Sequence, residues 1–183
     1  MIRKYEITYI QHPRNPQLFR IRALRDIPRV NVKAGDFGGF VQSESNLSQE
    51  GDCWIGDNAC VYGDAYISGN ARIFQNAQVC GNAQVYGNAQ VFGDAKVYDR
   101  SRIFGDAKIY GNAQVFSNTW VSGDLEINEF MKLSGAIHCA LSSSQIYYAD
   151  GVTAYFDIDK ELVVNGTSPD IEHHKTLARL KLS

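Results

Sequence analysis

Four histidines are the side chains best suited to acid–base chemistry, because imidazole titrates near neutral pH. They are His12, His138, His173 and His174. His173 and His174 stand side by side in a segment with helical character, where a solvated helix face is the simpler interpretation. His12 precedes the regular part of the chain, and His138 follows it. No histidine completes a catalytic constellation with a nucleophile or a second acid or base, so no catalytic residue is assigned.

The four cysteines, Cys53, Cys60, Cys80 and Cys139, are the other candidates for chemistry. The nearest pair is seven residues apart, and no spacing matches a zinc-binding pattern. We therefore expect reduced thiols, no metal site and no cofactor.

The charge and hydropathy of the chain exclude several classes of protein. The 183 residues carry a net charge of −2, so no basic excess predicts nucleic-acid binding. The N-terminus, MIRKYEITYI, lacks the apolar core of a secretory signal, and no apolar run is long enough to cross a membrane. The expectation is a cytoplasmic protein without a membrane partner.

The residues between Ser45 and Ser134 form about fifteen tandem six-residue repeats. The consensus is Gly, then Asp or Asn, Ala, any residue, Val or Ile, then Tyr or Phe. A fixed period of this kind is typical of a solenoid. Upstream, residues 39–44 and 45–50 keep the same phase weakly, and GAIHCA (135–140) is the last segment that fits.

Each position of the repeat has a structural role. The Ala and the Val or Ile lie two residues apart, so both side chains point into the core of a short strand. Gly accepts a positive φ at the corner, and Asp or Asn tolerates it and bonds its own backbone. Three bends then close a triangular coil of eighteen residues, and ninety residues give five coils. The prism is about 24 Å tall at the usual strand spacing.

The spacing also predicts the sense of winding. An aliphatic residue followed four positions later by a small one, as in Val61 and Ala65, is typical of left-handed parallel β-helices. A right-handed pentapeptide solenoid would need a period of five, which this sequence does not show. The predicted fold is an all-β solenoid, a left-handed parallel β-helix of about five triangular coils.

The sixth position of the repeat is the candidate binding feature. It is aromatic in eight of the ten repeats from Asp57 to Phe116, and residues eighteen apart form columns on the outside of the prism. The candidate partner- or oligomer-binding residues are Tyr62, Phe74, Tyr86, Phe92, Tyr98, Phe104, Tyr110 and Phe116. Stacked aromatics also stabilise a parallel ladder without any partner, so both interpretations stay open.

The two ends of the chain are predicted to cap the solenoid. Residues 1–38 are predicted to form a β-hairpin cap and lead-in, with strands at KYEITYI and LFRIRAL. Residues 39–134 form the β-helix. Residues 135–183 form a cap or oligomerisation segment, with strands at QIYYA, VTAYFDI and ELVVN and a helix that begins after Ser168.

The segment VKAGDFGGFVQSESNLSQEGDCWIGDNA (32–59), followed by the G-[DN]-A-x-[VI]-[YF] repeats, resembles the YdcK family of bacterial β-helix proteins and its phage-borne relatives. The resemblance implies a left-handed β-helix and the label of transferase, which rests on analogy with hexapeptide acyltransferases. Those enzymes typically use a histidine base and a loop that interrupts the coils. No histidine and no such loop occurs within the repeats. His138, the histidine closest to a coil, is more simply an exposed or capping residue.

Two hypotheses about function remain. The favoured one is a non-enzymatic protein-binding or assembly module that associates as a dimer or trimer. A heterologous protein partner is a further expectation, and in that case the chain could be a phage-encoded inhibitor of a host system. The alternative is an acyltransferase that uses acyl-CoA at an atypical site.

Overall fold

The computed structural model describes residues 3–127, 132–133, 137–141, 145–148, 153–156 and 162–165. The fold is a parallel β-solenoid of about five turns with an N-terminal β-hairpin, as the repeat predicts. The cap comprises β1 (Tyr5–His12), β2 (Asn15–Ala23) and β3 (Phe37–Val41), with 3₁₀ turns at Pro28–Val30 and Glu44–Asn46.

The coils are built from very short strands. They are β4 (Trp54–Ile55), β5 (Cys60–Val61), β6 (Tyr66–Ile67), β7 (Arg72–Ile73), β8 (Gln78–Val79), β9 (Gln84–Val85), β10 (Gln90–Val91), β11 (Lys96–Val97), β12 (Arg102–Ile103), β13 (Lys108–Ile109), β14 (Gln114–Val115), β15 (Trp120–Gly123), β16 (Glu126–Ile127), β17 (Lys132–Leu133) and β18 (Ile137–Leu141).

Every third strand pairs in parallel, which produces three faces. The hairpin face continues from β1, β2 and β3 through β5, β8, β11, β14 and β17. The turn face contains β4, β7, β10, β13 and β16. The third face contains β6, β9, β12, β15 and β18. Paired residues are eighteen apart, so that Val91 lies between Ile73 and Ile109.

The predicted core register is confirmed. The ten aliphatic side chains assigned to the interior are all fully buried: Val61, Ile67, Ile73, Val79, Val85, Val91, Val97, Ile103, Ile109 and Val115. The alanines two residues before them are equally buried wherever the repeat has one. Burying a side chain of this size contributes about 1.5–3 kcal/mol, so the column of aliphatic residues dominates the stability of the coils.

The corners differ from the prediction in one respect. The first residue of each repeat has a positive φ from Gly51 to Gly123, including the non-glycine residues Asp57, Gln75, Asp99 and Ser117. Asp or Asn at the second position does not adopt this conformation. Its side chain instead reaches the next coil, since Asn70 Nδ2 donates to Asn88 Oδ1 at 3.1 Å and Asn88 Nδ2 to Asp106 Oδ1 at 2.9 Å.

The predicted phase of residues 39–50 is wrong by two residues. Val41 pairs with Val61 and Leu47 bridges to Ile67, which are separations of twenty rather than eighteen. Gln49 and Glu50 are therefore an insertion before the first regular coil. Gln49 serves the cap, because its Oε1 accepts the Lys4 N–H at 2.8 Å and its Nε2 donates to the Tyr5 carbonyl at 3.2 Å.

The hairpin closes the N-terminal end of the core, as predicted for a cap. Tyr5 is fully buried, and its hydroxyl donates to the Leu47 carbonyl at 2.7 Å. Arg20 links β2 to β3 and to the corner before β5. Its Nε donates to the Gly38 carbonyl and a terminal nitrogen donates to the Asp57 carbonyl, both at 2.9 Å.

At the other end, β18 keeps the eighteen-residue spacing, with His138 opposite Trp120. The strands β19 (Gln145–Tyr148), β20 (Thr153–Phe156) and β21 (Leu162–Asn165) follow in antiparallel order, which confirms the three strands predicted there. The predicted helix after Ser168, with His173 and His174, lies outside the described residues. Within the described ranges, the chain has no helix that is long and apolar enough to cross a membrane.

Candidate binding groove

The aromatic columns exist, but their rings are half-buried rather than exposed. Phe74, Phe92 and Tyr110 stack with centroid distances of 4.8 and 5.0 Å and are nearly parallel. Two further pairs, Tyr86 with Phe104 and Tyr98 with Phe116, stack at 5.0 Å. Tyr62 is followed in its column by Cys80 and packs with the cap. Each ring therefore stabilises its neighbour and presents mainly an edge to solvent.

The exposed aromatic side chains of the coils occupy a different position of the repeat. Tyr66 and Trp120 lie on the third face, 41% and 39% exposed, at the fourth position that usually holds Gln, Lys or Arg. The guanidinium of Arg102 lies 4.8 Å from the centroid of the Trp120 ring. Neither residue was predicted from the sequence, because the consensus repeat is aromatic only at its sixth position.

A concavity lies between the tip of the hairpin and the hairpin face, and we call it the hairpin groove. Its volume is about 900 Å³. Residues 12–15 at the tip form one wall, and β5, β8, β11 and β14 form the floor. The register of the hairpin shifts between Ile7 and His12, and such irregularities bend a strand. This bend is consistent with a tip that leans over the face instead of extending it.

The inner end of the groove is apolar. Leu18 and Phe40 pack on Cys60 and Tyr62. The His12 ring meets the Phe40 ring edge-on at 4.7 Å, and the Arg20 guanidinium lies over the same ring at 4.9 Å. Burial raises the pKa of the Cys60 thiol to about 11 and that of the Tyr62 hydroxyl to about 12, so both stay protonated at neutral pH.

The outer floor of the groove is polar and consists of two parallel columns. The second position contributes Asn58, Asn76, Asp94 and Asn112, and the fourth contributes Gln78, Lys96 and Gln114. Among the described residues, the side chains of Gln78, Lys96, Asn112 and Gln114 form no hydrogen bond or ion pair. Within the floor, Asn76 Nδ2 donates to Asp94 Oδ1 at 3.2 Å.

The turn face has the same kinds of residue, but its lysine is paired. Lys108 donates to Glu126 at 2.7 Å, and this contact raises the pKa of the Lys108 ammonium. The Tyr110 hydroxyl donates to the other carboxylate oxygen of Glu126 at 3.1 Å. Arg29 of the cap donates to Asn88 at 2.9 Å. The lysine of the turn face is thus paired with a carboxylate, whereas Lys96 of the hairpin groove has no such partner among the described residues.

The charge of the groove is predominantly positive. Arg14, Arg20 and Lys96 line it, and Asp94 is the carboxylate opposed to them. The three cationic side chains outnumber the one carboxylate, and the amides beside them can donate as well as accept. The lining therefore favours a ligand with carbonyl or carboxylate oxygens.

His12 is the histidine that the fold places in the groove. Its Nδ1 accepts the backbone N–H of Arg14 at 3.2 Å, so the neutral ring carries its proton on Nε2. In that tautomer the nitrogen that could take up a proton is engaged with the backbone. His138 lies in β18 on the third face, away from this groove. Within the described part of the chain, no cluster of three or more His, Cys, Asp or Glu side chains could hold a metal ion.

Comparison with family models gives three overlapping matches to the YdcK Beta solenoid repeat, at residues 65–81, 77–93 and 83–99. These matches cover the coils from β6 to β11, and they agree with the resemblance seen in the sequence. They include Asn76, Gln78, Asp94 and Lys96 of the groove floor, but not the hairpin that forms its wall. A comparison with curated proteins finds no match.

Proposed function

We propose that this chain is a non-enzymatic protein-binding module, and that the hairpin groove holds an extended, acidic segment of its partner. The observation that carries the proposal is the column of unpaired donors on the groove floor, beside the wall formed by the hairpin tip. On the turn face, Lys108 occupies the same position of the repeat as Lys96 but is paired with Glu126, so the composition of the repeat alone does not explain why Lys96 is unpaired.

The dimensions of the groove favour a short extended segment. Four coils, from Cys60 to Gln114, line the floor, and three strand spacings of about 4.8 Å make it roughly 14 Å long. An extended chain covers that distance with about four residues. The apolar inner end at Phe40 would receive one apolar side chain, and Lys96 and Arg14 would pair with carboxylates.

A peptide library tests this proposal without knowledge of the partner. The full chain is immobilised, and a phage-displayed library of random seven-residue peptides is selected against it. We expect enrichment of peptides that combine Asp or Glu with one apolar residue. Binding of the corresponding synthetic peptide should weaken as salt is raised from 0.05 to 0.5 M (about 14 to 4 Å in screening length), because the contacts are charged and accessible to solvent.

Two charge reversals of equal size provide the control. Lys96→Glu lies on the groove floor, whereas Arg100→Glu lies at an exposed corner outside it. The first should lower the affinity of an acidic peptide at least tenfold, and the second should leave it within about twofold. Selection of peptides without acidic residues, or equal effects of the two variants, would contradict the proposal.

Self-association into a dimer or trimer is a second mode of binding that we propose for the same module. Its support is the pair of exposed rings, Tyr66 and Trp120, on the third face, bordered by the column of Tyr86 and Phe104. Light scattering at micromolar concentration measures the mass, and Tyr66→Ser should shift an oligomer towards the monomer. A monomer mass for the unaltered chain would exclude this mode and leave the peptide groove unaffected.

Acyl transfer from acyl-CoA remains the alternative, and one observation favours it: His12 and three cationic side chains lie in one groove, where an anionic thioester cofactor could also bind. The engagement of His12 Nδ1 with the backbone opposes it. A thermal shift with acetyl-CoA and an assay of thioester cleavage separate the two. Turnover that His12→Gln abolishes would establish the enzyme, and peptide binding without turnover would support the binding module.

A further inference from the structure

Lys4 is fully buried, although lysine is among the residues least often found inside proteins. Its Nζ lies 3.1 Å from the Sγ of Cys53, which is also completely buried. The same nitrogen donates to the Cys53 carbonyl at 3.0 Å and to the Glu50 carbonyl at 3.2 Å. In the described part of the chain, no carboxylate forms an ion pair with Lys4.

Burial acts against the charged form of both groups. Burial lowers the pKa of the Lys4 ammonium, although the nearby Cys53 opposes this effect. Burial raises the pKa of the Cys53 thiol, against the opposing influence of Lys4. Once deprotonated, the Lys4 amine has a lone pair and can act as a nucleophile, and the Cys53 sulfur lies within its reach.

We propose that Lys4 and Cys53 form an oxidative cross-link, in which one oxygen atom joins the lysine nitrogen to the cysteine sulfur. The two atoms are held at the separation of a hydrogen bond, with both side chains fixed by packing. One bridging atom fits that separation with less movement than a direct bond between nitrogen and sulfur would need. The other thiols with described side chains, Cys60 and Cys80, have no lysine nitrogen within hydrogen-bonding distance.

The oxidant is hydrogen peroxide, and two molecules are consumed. The first transfers an oxygen atom to the Cys53 sulfur, which forms the sulfenic acid and releases one water molecule. The second removes the hydrogen of that S–O–H group and one hydrogen of the Lys4 amine, while the N–O bond forms, and it leaves as two water molecules. The product therefore differs from the reduced pair by one added oxygen and two lost hydrogens.

Such a bond would fix the hairpin to the first coil. Lys4 immediately precedes β1, and Cys53 immediately precedes β4, so the link would span the two elements that meet at the capped end. Because both groups are fully buried, the oxidant reaches them only when the cap opens locally. We therefore expect the reaction to be slower than oxidation of Cys80, which is half-exposed.

Peptide mapping tests the cross-link directly. The folded full chain is purified with reductant, treated with hydrogen peroxide, denatured without reductant and digested with trypsin. We expect cleavage after Lys4 to be lost and one new peptide to contain both Lys4 and Cys53, with the mass change given above. Dithiothreitol should restore both the thiol and the cleavage, which distinguishes the link from irreversible sulfinic or sulfonic acids.

Two controls isolate the geometry. Cys80→Ser should leave the cross-linked peptide unchanged, whereas Cys53→Ser should abolish it. Oxidation of the wild-type chain in concentrated urea avoids any folding defect of a variant. It should give no cross-link, because the two residues are 49 apart in the sequence and only the fold brings them together. If peroxide converts Cys53 in the folded chain to other products, or leaves it reduced, while trypsin still cleaves after Lys4, the proposal is wrong.

Discussion

Replacing Phe92 by alanine tests whether the aromatic columns stabilise the coils as nearest-neighbour stacks. Phe92 is the central ring of its column, with Phe74 at 4.8 Å on one side and Tyr110 at 5.0 Å on the other. Stacked aromatic pairs contribute about 0.5–1.5 kcal/mol beyond the area they bury. Loss of a half-buried ring costs roughly 1 kcal/mol more. Phe92→Ala should therefore lower the free energy of unfolding by about 3 kcal/mol.

Double-mutant cycles isolate the stacking contribution. Phe74 and Phe92 should show a coupling energy of about 1 kcal/mol, and so should Phe92 and Tyr110. Phe74 and Tyr110 are two spacings apart and share no direct contact, so their effects should add within about 0.5 kcal/mol. The hydrogen bond from Tyr110 to Glu126 cancels in each cycle, because it is lost in both variants that change Tyr110.

Urea denaturation followed by circular dichroism measures these energies, provided that the dependence on urea concentration stays constant among the variants. A constant slope also excludes separate unfolding of individual coils, which repeat proteins can show. Coupling near zero for both neighbouring pairs would refute the view that the stacks contribute to stability. A role for the half-buried rings as contact residues, as predicted from the sequence, would then be favoured.

The remaining predictions concern the core, the corners and the response to base. Val91→Asp should abolish the cooperative unfolding transition, because a buried charge would have no partner, whereas Val91→Ala should cost only about 2 kcal/mol. Gly93→Ala should lower the free energy of unfolding by about 2 kcal/mol or more, because φ is +72° and a Cβ would lie 2.8 Å from the Gly111 nitrogen. Ser117→Gly should raise the free energy of unfolding by up to about 1 kcal/mol in the same assay, because Ser117 has a φ of 63°. Between about pH 9 and 11 the unfolded chain ionises Cys60, while the folded chain keeps it protonated because burial raises its pKa to about 11. The free energy of unfolding should therefore fall as the pH rises through this range. Cys60→Ala should reduce the dependence of the unfolding free energy on pH.

The sequence predicted the coils well because the repeat states the same physical requirement many times. An aliphatic residue such as Val91 must be buried at every sixth position, and each repeat begins with a positive φ. Where one repeat departs from the consensus, the repeats on either side still fix which of its residues are buried. The left-handed sense of winding, inferred from the spacing of Val61 and Ala65, stays a prediction.

The ends of the solenoid were predicted less accurately because their geometry depends on single residues. The insertion of Gln49 and Glu50 is invisible in a weakly periodic segment, and only the pairing of Val41 with Val61 reveals it. A hairpin was predictable from its alternating pattern. The position of its tip beside the coils was not, because the alternating pattern does not reveal the register shift before His12.

The aromatic columns that the sequence indicated as the candidate site stay a prediction, and the structure offers the hairpin groove beside them. Aromatic residues at a fixed position are conspicuous in a repeat, but regular spacing is what allows rings such as Phe74 and Phe92 to stack and bury one another. A binding site needs polar or apolar groups that the fold leaves unpaired, and Lys96 becomes such a group only because no acidic residue follows it eighteen positions later. On the turn face, Lys108 meets Glu126 at that spacing and is paired. Placing an acidic residue at position 114, through Gln114→Glu, should reproduce the turn-face pair in the groove. It should therefore weaken binding of an acidic peptide even though Lys96 itself is unchanged.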